Sequence, residues 1–196
     1  MKNLSEKYSG ILLAGGKSSR MGEDKAFMKY GEYFLYEYSL SVLKHFSNNI
    51  LLSSSNLLFK QADCTIVEDE MPGLGPIGGI FSCLKQIKCQ NAIVLPCDLP
   101  LITLSIIDIL IENSENFDIT IALNRQNLPE PLVGIYNVAV IPFMEEMINH
   151  GNYKMQELLS KVNTRFVPFP ESPALSFQNI NYPSDFGSLP LPIINV

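Results

Sequence analysis

Three observations predict an α/β fold in which a mostly parallel sheet is flanked by helices. Segments that read as strands recur at 11–14, 50–56, 64–70, 91–100 and 118–123, and the continuous apolar run of the first suits a strand covered on both faces. Between several of them, apolar residues repeat at helical spacing over segments long enough to cross from one parallel strand to the next. The strands stop at glycine, serine or acidic residues, so polar chemistry collects at the carboxyl ends, where open parallel sheets bind ligands.

The first run, Ile11-Leu12-Leu13-Ala14, breaks into Gly15-Gly16-Lys17-Ser18-Ser19-Arg20-Met21-Gly22-Glu23-Asp24-Lys25. Glycine lets a ligand approach backbone N–H groups closely, and Lys17, Arg20 and Lys25 concentrate positive charge on the same segment; phosphate is the expected guest. A Walker A loop would need glycine where Ile11 stands, and no Gly-x-Gly-x-x-Gly spacing occurs between 11 and 22. As an exposed loop residue, Lys25 is expected to stabilise little of the fold.

Residues 26–32 read as an extended piece that turns at Gly31, and the spacing of Phe34, Leu35, Tyr38, Val42, Leu43 and Phe46 predicts a helix over 33–46. His45 near its end reads as a cation complementing the helix C-terminus, not as a ligand. The next strand, 50–56, ends in Ser53-Ser54-Ser55-Asn56, and the third, 64–70, ends in Glu68-Asp69-Glu70. Glu70 reads as part of a solvated turn; Asp69, directly after the strand and its Glu, is the candidate site carboxylate. A Gly- and Pro-rich loop over 71–79 leads into a helix carrying Ile80, Phe81, Leu84 and Ile87. The strand 91–100 brings Asp98 to its end between prolines that cannot continue a ladder, a good place for a metal ligand. Leu104, Ile107, Leu110 and Ile111 mark another helix, followed by the strand 118–123. Pro129-Glu130-Pro131 precedes a strand-like 132–136, after which come helical patterns over 141–148 and 155–162 and a strand over 164–169. The tail, 189–196, is apolar and broken by prolines, compatible with packing on the body, pairing at an interface or fraying.

No repeat, low-complexity stretch or charge run divides the chain, so its 196 residues are expected to form one domain, 1–196. A net charge of −6 argues against a surface that wraps nucleic acid, yet leaves room for a local triphosphate pocket. The N-terminus lacks the apolar core of a signal peptide and no stretch has the ~18 apolar residues of a membrane span; the expected location is the cytoplasm, away from membranes. Cys64, Cys83, Cys89 and Cys97 include no Cys-x2-Cys pair, which fits reduced structural thiols better than a zinc site. Without reference to any family, the Gly loop, its cations and an Asp after a buried strand suggest a magnesium nucleotide undergoing phosphoryl or nucleotidyl transfer.

The stretch from Leu13 to Lys25 resembles the signature Leu-Ala-Gly-Gly-x3-Arg-Met-Gly-x-Asp-Lys of the molybdenum cofactor guanylyltransferase family. Ile66-Val67-Glu68-Asp69, Gly75-Pro76-Ile77-Gly78-Gly79, Pro96-Cys97-Asp98-Leu99-Pro100 and Asn179-Ile180-Asn181 resemble its later motifs, in the same order. The resemblance implies a single-domain, Rossmann-like nucleotidyltransferase fold that transfers GMP from GTP to the phosphate of molybdopterin, or of its molybdenum-loaded form, with Mg²⁺ and loss of pyrophosphate. It implies catalytic roles for Arg20, Lys25 and Asp98, with Asp98 holding the metal. Leu13, Ala14, Gly15, Gly16, Lys25, Ser53, Asp69 and Asp98 would bind the nucleotide, and Glu130, Lys154, Asn179 and Asn181 the acceptor, although Glu130 and Lys154 equally fit an ordinary surface. Implied partners are these small molecules, together with other cofactor-biosynthesis proteins or the apoenzymes that receive the cofactor. Two positions depart from the family: Ser53 stands where Asn is frequent, and Tyr182 where Thr is frequent. Rival readings are a relative using CTP or a sugar-phosphate acceptor, and a non-catalytic nucleotide-binding module. The second is disfavoured by the presence of both Lys25 and Asp98.

Overall fold

The computed structural model describes residues 4–15, 24–70, 73–170 and 175–190. The strand β1 (Tyr8–Leu13) leads to a small hairpin, β2 (Lys29–Tyr30) and β3 (Tyr33–Phe34), and then to α1 (Leu35–Phe46). The helix therefore starts two residues later than its apolar spacing predicts. Gly31 at φ 66° turns the chain so that Tyr33–Phe34 pairs back on Lys29–Tyr30, and the Glu37 carboxylate accepts the Phe34 N–H at 2.7 Å, which fixes the helix start.

The strands β4 (Ile50–Ser53) and β5 (Thr65–Val67) follow, separated by a 3-10 turn at Leu57–Gln61 that sequence spacing does not reveal. The next helix, α2 (Pro76–Leu84), begins four residues before the expected Ile80. Gly75 precedes it at φ 70° and Pro76 occupies its first position, where a missing N–H costs nothing. Then come β6 (Asn91–Pro96), α3 (Leu104–Glu112), β7 (Ile119–Leu123), β8 (Pro129–Asn137), α4 (Ile141–Asn149), α5 (Met155–Lys161) and β9 (Thr164–Pro168).

The main sheet runs β5-β4-β1-β6-β8-β7-β9. Its pairings are parallel except that β8 is antiparallel to both β6 and β7. Alternate residues of each strand enter opposite core layers. Leu12, Ile93, Leu95 and Val133 pack with α1 and α3, and Ile11, Val94, Ile121 and Tyr136 with α2, α4 and α5. A smaller cluster, Tyr30, Leu35, Tyr38 and Ile180 with Phe186 and Leu189, straps the C-terminal segment onto the hairpin, where the Tyr30 hydroxyl donates to the Pro190 carbonyl. The start of the apolar tail thus packs on the body; 191–196 lie outside the described residues.

The expected strand 132–136 is longer, because Pro129-Glu130-Pro131 belongs to it. Pro129 is its first residue, and Pro131 sits in a bulge: pairing jumps from Ile121↔Gly134 to Ala122↔Glu130. Both prolines thereby avoid a ladder position that needs an N–H. All four cysteines are free thiols. Among the described residues no helix is long and apolar enough to cross a membrane.

Candidate active site

Register alone gathers the strand ends. Leu13 lies opposite both Ser53 and Pro96, and Ser53 opposite Val67. The ladder continues one step further, with Ala14 N–H to Ser53 O at 3.1 Å, Cys97 N–H to Leu13 O at 3.0 Å and Ser54 N–H to Val67 O at 3.1 Å. Gly15, Asp69 and Asp98 therefore leave the sheet on the same edge, as the sequence predicts.

At the centre of that edge Lys25 Nζ donates to Asp98 Oδ2 at 2.5 Å, with side-chain exposures of 24% and 12%. Asp24 caps the 3-10 turn that carries Lys25, its Oδ1 accepting the Ala26 N–H at 3.1 Å, and its Oδ2 accepts from Asn56 Nδ2 at 2.9 Å. The end of the signature is thereby tied to the chain that leaves β4. Lys25 also donates to Asn181 Oδ1 at 3.3 Å, and Ile180 N–H donates to the Asp98 carbonyl at 3.0 Å. This corrects the expectation for Lys25: it is the counter-charge of a nearly buried carboxylate, and so supports the fold as well.

The other Asp98 oxygen, Oδ1, is buried and has no hydrogen-bond partner among the described residues. An orphaned carboxylate oxygen whose twin is held by Lys25 fits a hard divalent cation. No cluster of three or more His, Cys, Asp and Glu occurs among the described residues. A magnesium ion commonly takes one or two carboxylates and completes its shell with water and substrate phosphate. Cys97, next to Asp98, is no nucleophile: burial first, and then the Asp98 charge, push its thiol pKa far up.

On the β1–β4–β5 side, Ser53 is buried and its hydroxyl donates to Asp69 Oδ1 at 2.9 Å. Ser53 thus faces inward and holds Asp69, which is half-buried, whereas Glu68 and Glu70 are exposed. The α2 backbone closes on Ser53 from behind: a Cβ on Gly79 would lie 2.4 Å from Ser53 Oγ. Gly15 differs, since among the described residues a Cβ there would meet only Ser53 O at 3.6 Å and Ser53 Oγ at 3.9 Å, ordinary contacts. Leu13 is half-buried and Ala14 buried; Gly16 and Arg20 lie outside the described residues.

The four acceptor candidates differ in their surroundings. Asn181 meets Lys25, and Asn179, two residues earlier, is exposed. Glu130 is half-buried and accepts from Asn124 Nδ2 at 2.9 Å. Burial raises its pKa, the Asn124 bond partly offsets the rise, and the Asp98 charge adds to it. Lys154 is exposed ahead of α5 and pairs with Glu157 at 3.6 Å, so nothing draws it towards Asp98. Sequence reading missed Asp24, Asn56 and Asn124 as supports. Only Asp24 carried a signal, its place before Lys25 in the signature.

Residues 10–165 match the MobA-like NTP transferase domain. A protein of Clostridium perfringens named "probable molybdenum cofactor guanylyltransferase" is 33% identical over 192 residues, covering 93% of this chain and 96% of the relative. One of the same name from Halalkalibacterium halodurans is 32% identical, covering 90% and 94%. Among solved structures, molybdopterin-guanine dinucleotide biosynthesis protein A of Archaeoglobus fulgidus superposes with a TM-score of 0.77 at 23% identity, over 91% of this chain and 94% of that one. The fold alone does not choose a nucleotide, because 2-C-methyl-D-erythritol 4-phosphate cytidylyltransferase of Thermus thermophilus shares it, with a TM-score of 0.68 at 13% identity over 90% and 94%. The match over most of the chain, joined to a strand edge that presents Gly15, Lys25, Asp69 and Asp98 together, makes this protein a nucleotidyltransferase belonging to the molybdenum cofactor guanylyltransferase family.

Proposed function

We propose that the enzyme transfers GMP from GTP to the terminal phosphate of molybdopterin, or of its molybdenum-loaded form, and releases pyrophosphate. The observation that carries this reading is the Lys25–Asp98 pair with Asp98 Oδ1 left open at the strand edge; the choice of GTP and molybdopterin is supported by the names of the relatives. An oxygen of the acceptor phosphate attacks the α-phosphorus of GTP, the bond from that phosphorus to the bridging oxygen breaks, and its electron pair leaves with pyrophosphate. The attacking oxygen is already unprotonated, so no protein nucleophile or general base is needed.

The protein's task is to bring two anions together and offset their charge. Lys25 has three N–H donors, of which, among the described residues, Asp98 and Asn181 take two; the third is assigned to a phosphate oxygen. Arg20 is assigned the same task from the signature. Leu13, Ala14, Gly15 and Gly16 are assigned to the guanine and the first phosphates, and Asp69, steadied by Ser53, to the nucleoside. Mg²⁺ held at Asp98 would supply further charge neutralisation at the reacting phosphates. The reaction is placed in the cytoplasm, with the product passing to other cofactor-biosynthesis proteins or recipient apoenzymes.

The test is incubation with Mg²⁺, molybdopterin and each of the four ribonucleoside triphosphates, reading pyrophosphate release and the mass of the dinucleotide. GTP alone should give product at a substantial rate. Equal use of CTP or ATP in competition would leave only the nucleotidyltransferase class standing.

A further inference from the structure

The half of the sheet beyond Asp98 carries a carboxylate held in place for a partner that the described protein does not supply. Glu130 enters β8 opposite Ala122. Its Oε1 accepts from Asn124 Nδ2, while Asn124 Oδ1 accepts the N–H groups of Gln126 at 2.9 Å and Leu128 at 3.1 Å. The amide that orients Glu130 is thus itself locked by the β7–β8 turn, in which Asn127 takes φ 57°. Among the described residues Glu130 Oε2 accepts no hydrogen bond, and no lysine, arginine or histidine pairs with the carboxylate. A half-buried charge without a counter-ion lowers stability, and proteins keep such features where the charge is used.

The bulge in β8 aims this group. Were residues 131–133 paired in regular register, Glu130 would fall opposite Arg125, past the end of β7; the bulge that leaves them unpaired draws it back level with Ala122. The bulge is pinned by Tyr136, whose hydroxyl donates to the Pro131 carbonyl at 2.5 Å. Leu132 and Val133 pack into opposite core layers. Sheet order then assigns the side. Gly15 and Asp69 follow β1 and β5, Ser53 ends β4, Asp98 follows β6, and Glu130 stands on β8, across Asp98 from the residues assigned to the nucleotide. Asp98 is near enough for its charge to be felt at Glu130.

We propose that Glu130, oriented by Asn124, reads the aminopyrimidinone edge of the acceptor's pterin, whose ring N–H and exocyclic amino group form a donor pair that one carboxylate accepts together. This rests on molybdopterin being the acceptor. Guanine has the same donor pair, and only the position of Glu130 across Asp98 from the nucleotide strands separates the two sources. Glu130→Gln keeps shape and Asn124 contact but turns one acceptor into a donor that faces the ligand's own donors. The KM for molybdopterin should rise about tenfold or more, as for lost hydrogen bonds to a charged group, with the KM for GTP unchanged. The melting temperature should be unchanged or higher, since a half-buried charge is removed. Asn124→Ala, which frees the carboxylate without removing it, should raise the same KM less.

Calorimetry on the parent enzyme with two simple ring compounds tests the idea without turnover. Pterin should bind about tenfold more tightly than lumazine, in which oxygen replaces the amino group, and Glu130→Gln should erase the difference. Equal binding of the two by the parent would overturn the Glu130 assignment alone, as would an effect of Glu130→Gln confined to GTP. Failure of the parent to transfer GMP to molybdopterin would instead strike down the guanylyl reading.

Discussion

Gly79→Ala would press directly on Ser53 and Asp69, on the side of the site proposed for the nucleotide. The added methyl would stand 2.4 Å from Ser53 Oγ, 3.2 Å from Ser53 Cβ and 3.3 Å from Leu13 Cδ2. The hydroxyl can rotate away, but that breaks its 2.9 Å bond to Asp69. Loss of a hydrogen bond to a charged acceptor costs about 1.5–3 kcal/mol, and alanine's better helix propensity returns about 1 kcal/mol. The net loss is about 0.5–2 kcal/mol, which for a chain of this size lowers the melting temperature by about 1–8 °C. The functional effect should be larger than the structural one. With Asp69 no longer steadied, the KM for GTP should rise about five- to tenfold while kcat stays near the parent value, the pattern of lost ground-state binding. Calorimetric melting and steady-state kinetics on one preparation measure both. Adding Ser53→Ala should recover stability, because the colliding hydroxyl is gone, without recovering the KM. A Gly79→Ala protein with parent melting temperature and parent KM would refute the account of Ser53 as the residue that holds Asp69.

Asp98→Asn should fold, because the amide oxygen can still accept from Lys25, yet lose Mn²⁺ or Mg²⁺ affinity measured by titration in the presence of GTP, together with most turnover. Undiminished metal binding would move the metal elsewhere. Lys25→Ala should cost both rate and stability, about 3 kcal/mol, because it strands a nearly buried carboxylate; a denaturation midpoint equal to the parent's would contradict the pairing. Gly15→Ala should leave the melting curve unchanged, since the added methyl meets only ordinary contacts, but impair use of GTP and shift the ratio of CTP to GTP use upwards. Hydrogen bonds from the Asn181 and Tyr182 N–H groups hold the Asp185 carboxyl below the usual range. Their stabilisation of the turn beside Lys25 is complete above about pH 4, the ordinary Asp value, and is lost as pH falls through the lower folded value. The protection of those two amides against hydrogen exchange, relative to their intrinsic rates, should therefore fall only on acidification, and in Asp185→Ala it should be low at every pH.

The sequence by itself determined most strands of the main sheet and the edge on which their ends meet, with Asp98 at the end of one of them. Those features are local: a continuous apolar run fixes a buried strand, and the residue that ends it is carried to the sheet edge by the same backbone. The start of α1 and the full length of β8 were less legible, because a two-residue hairpin and a bulge each break the periodicity on which such reading depends. Tertiary structure alone decided which side chains meet. It brought Asn181 to Lys25 and Asn56 to Asp24, turned Ser53 inward onto Asp69, and locked Glu130 through Asn124. It also made Lys25 a structural partner of Asp98, where spacing shows only a loop lysine. Such bonds join elements far apart in the chain, and their geometry follows from register, crossing and close backbone approach, as at Gly79 against Ser53. Residue order records none of these until the layers are packed.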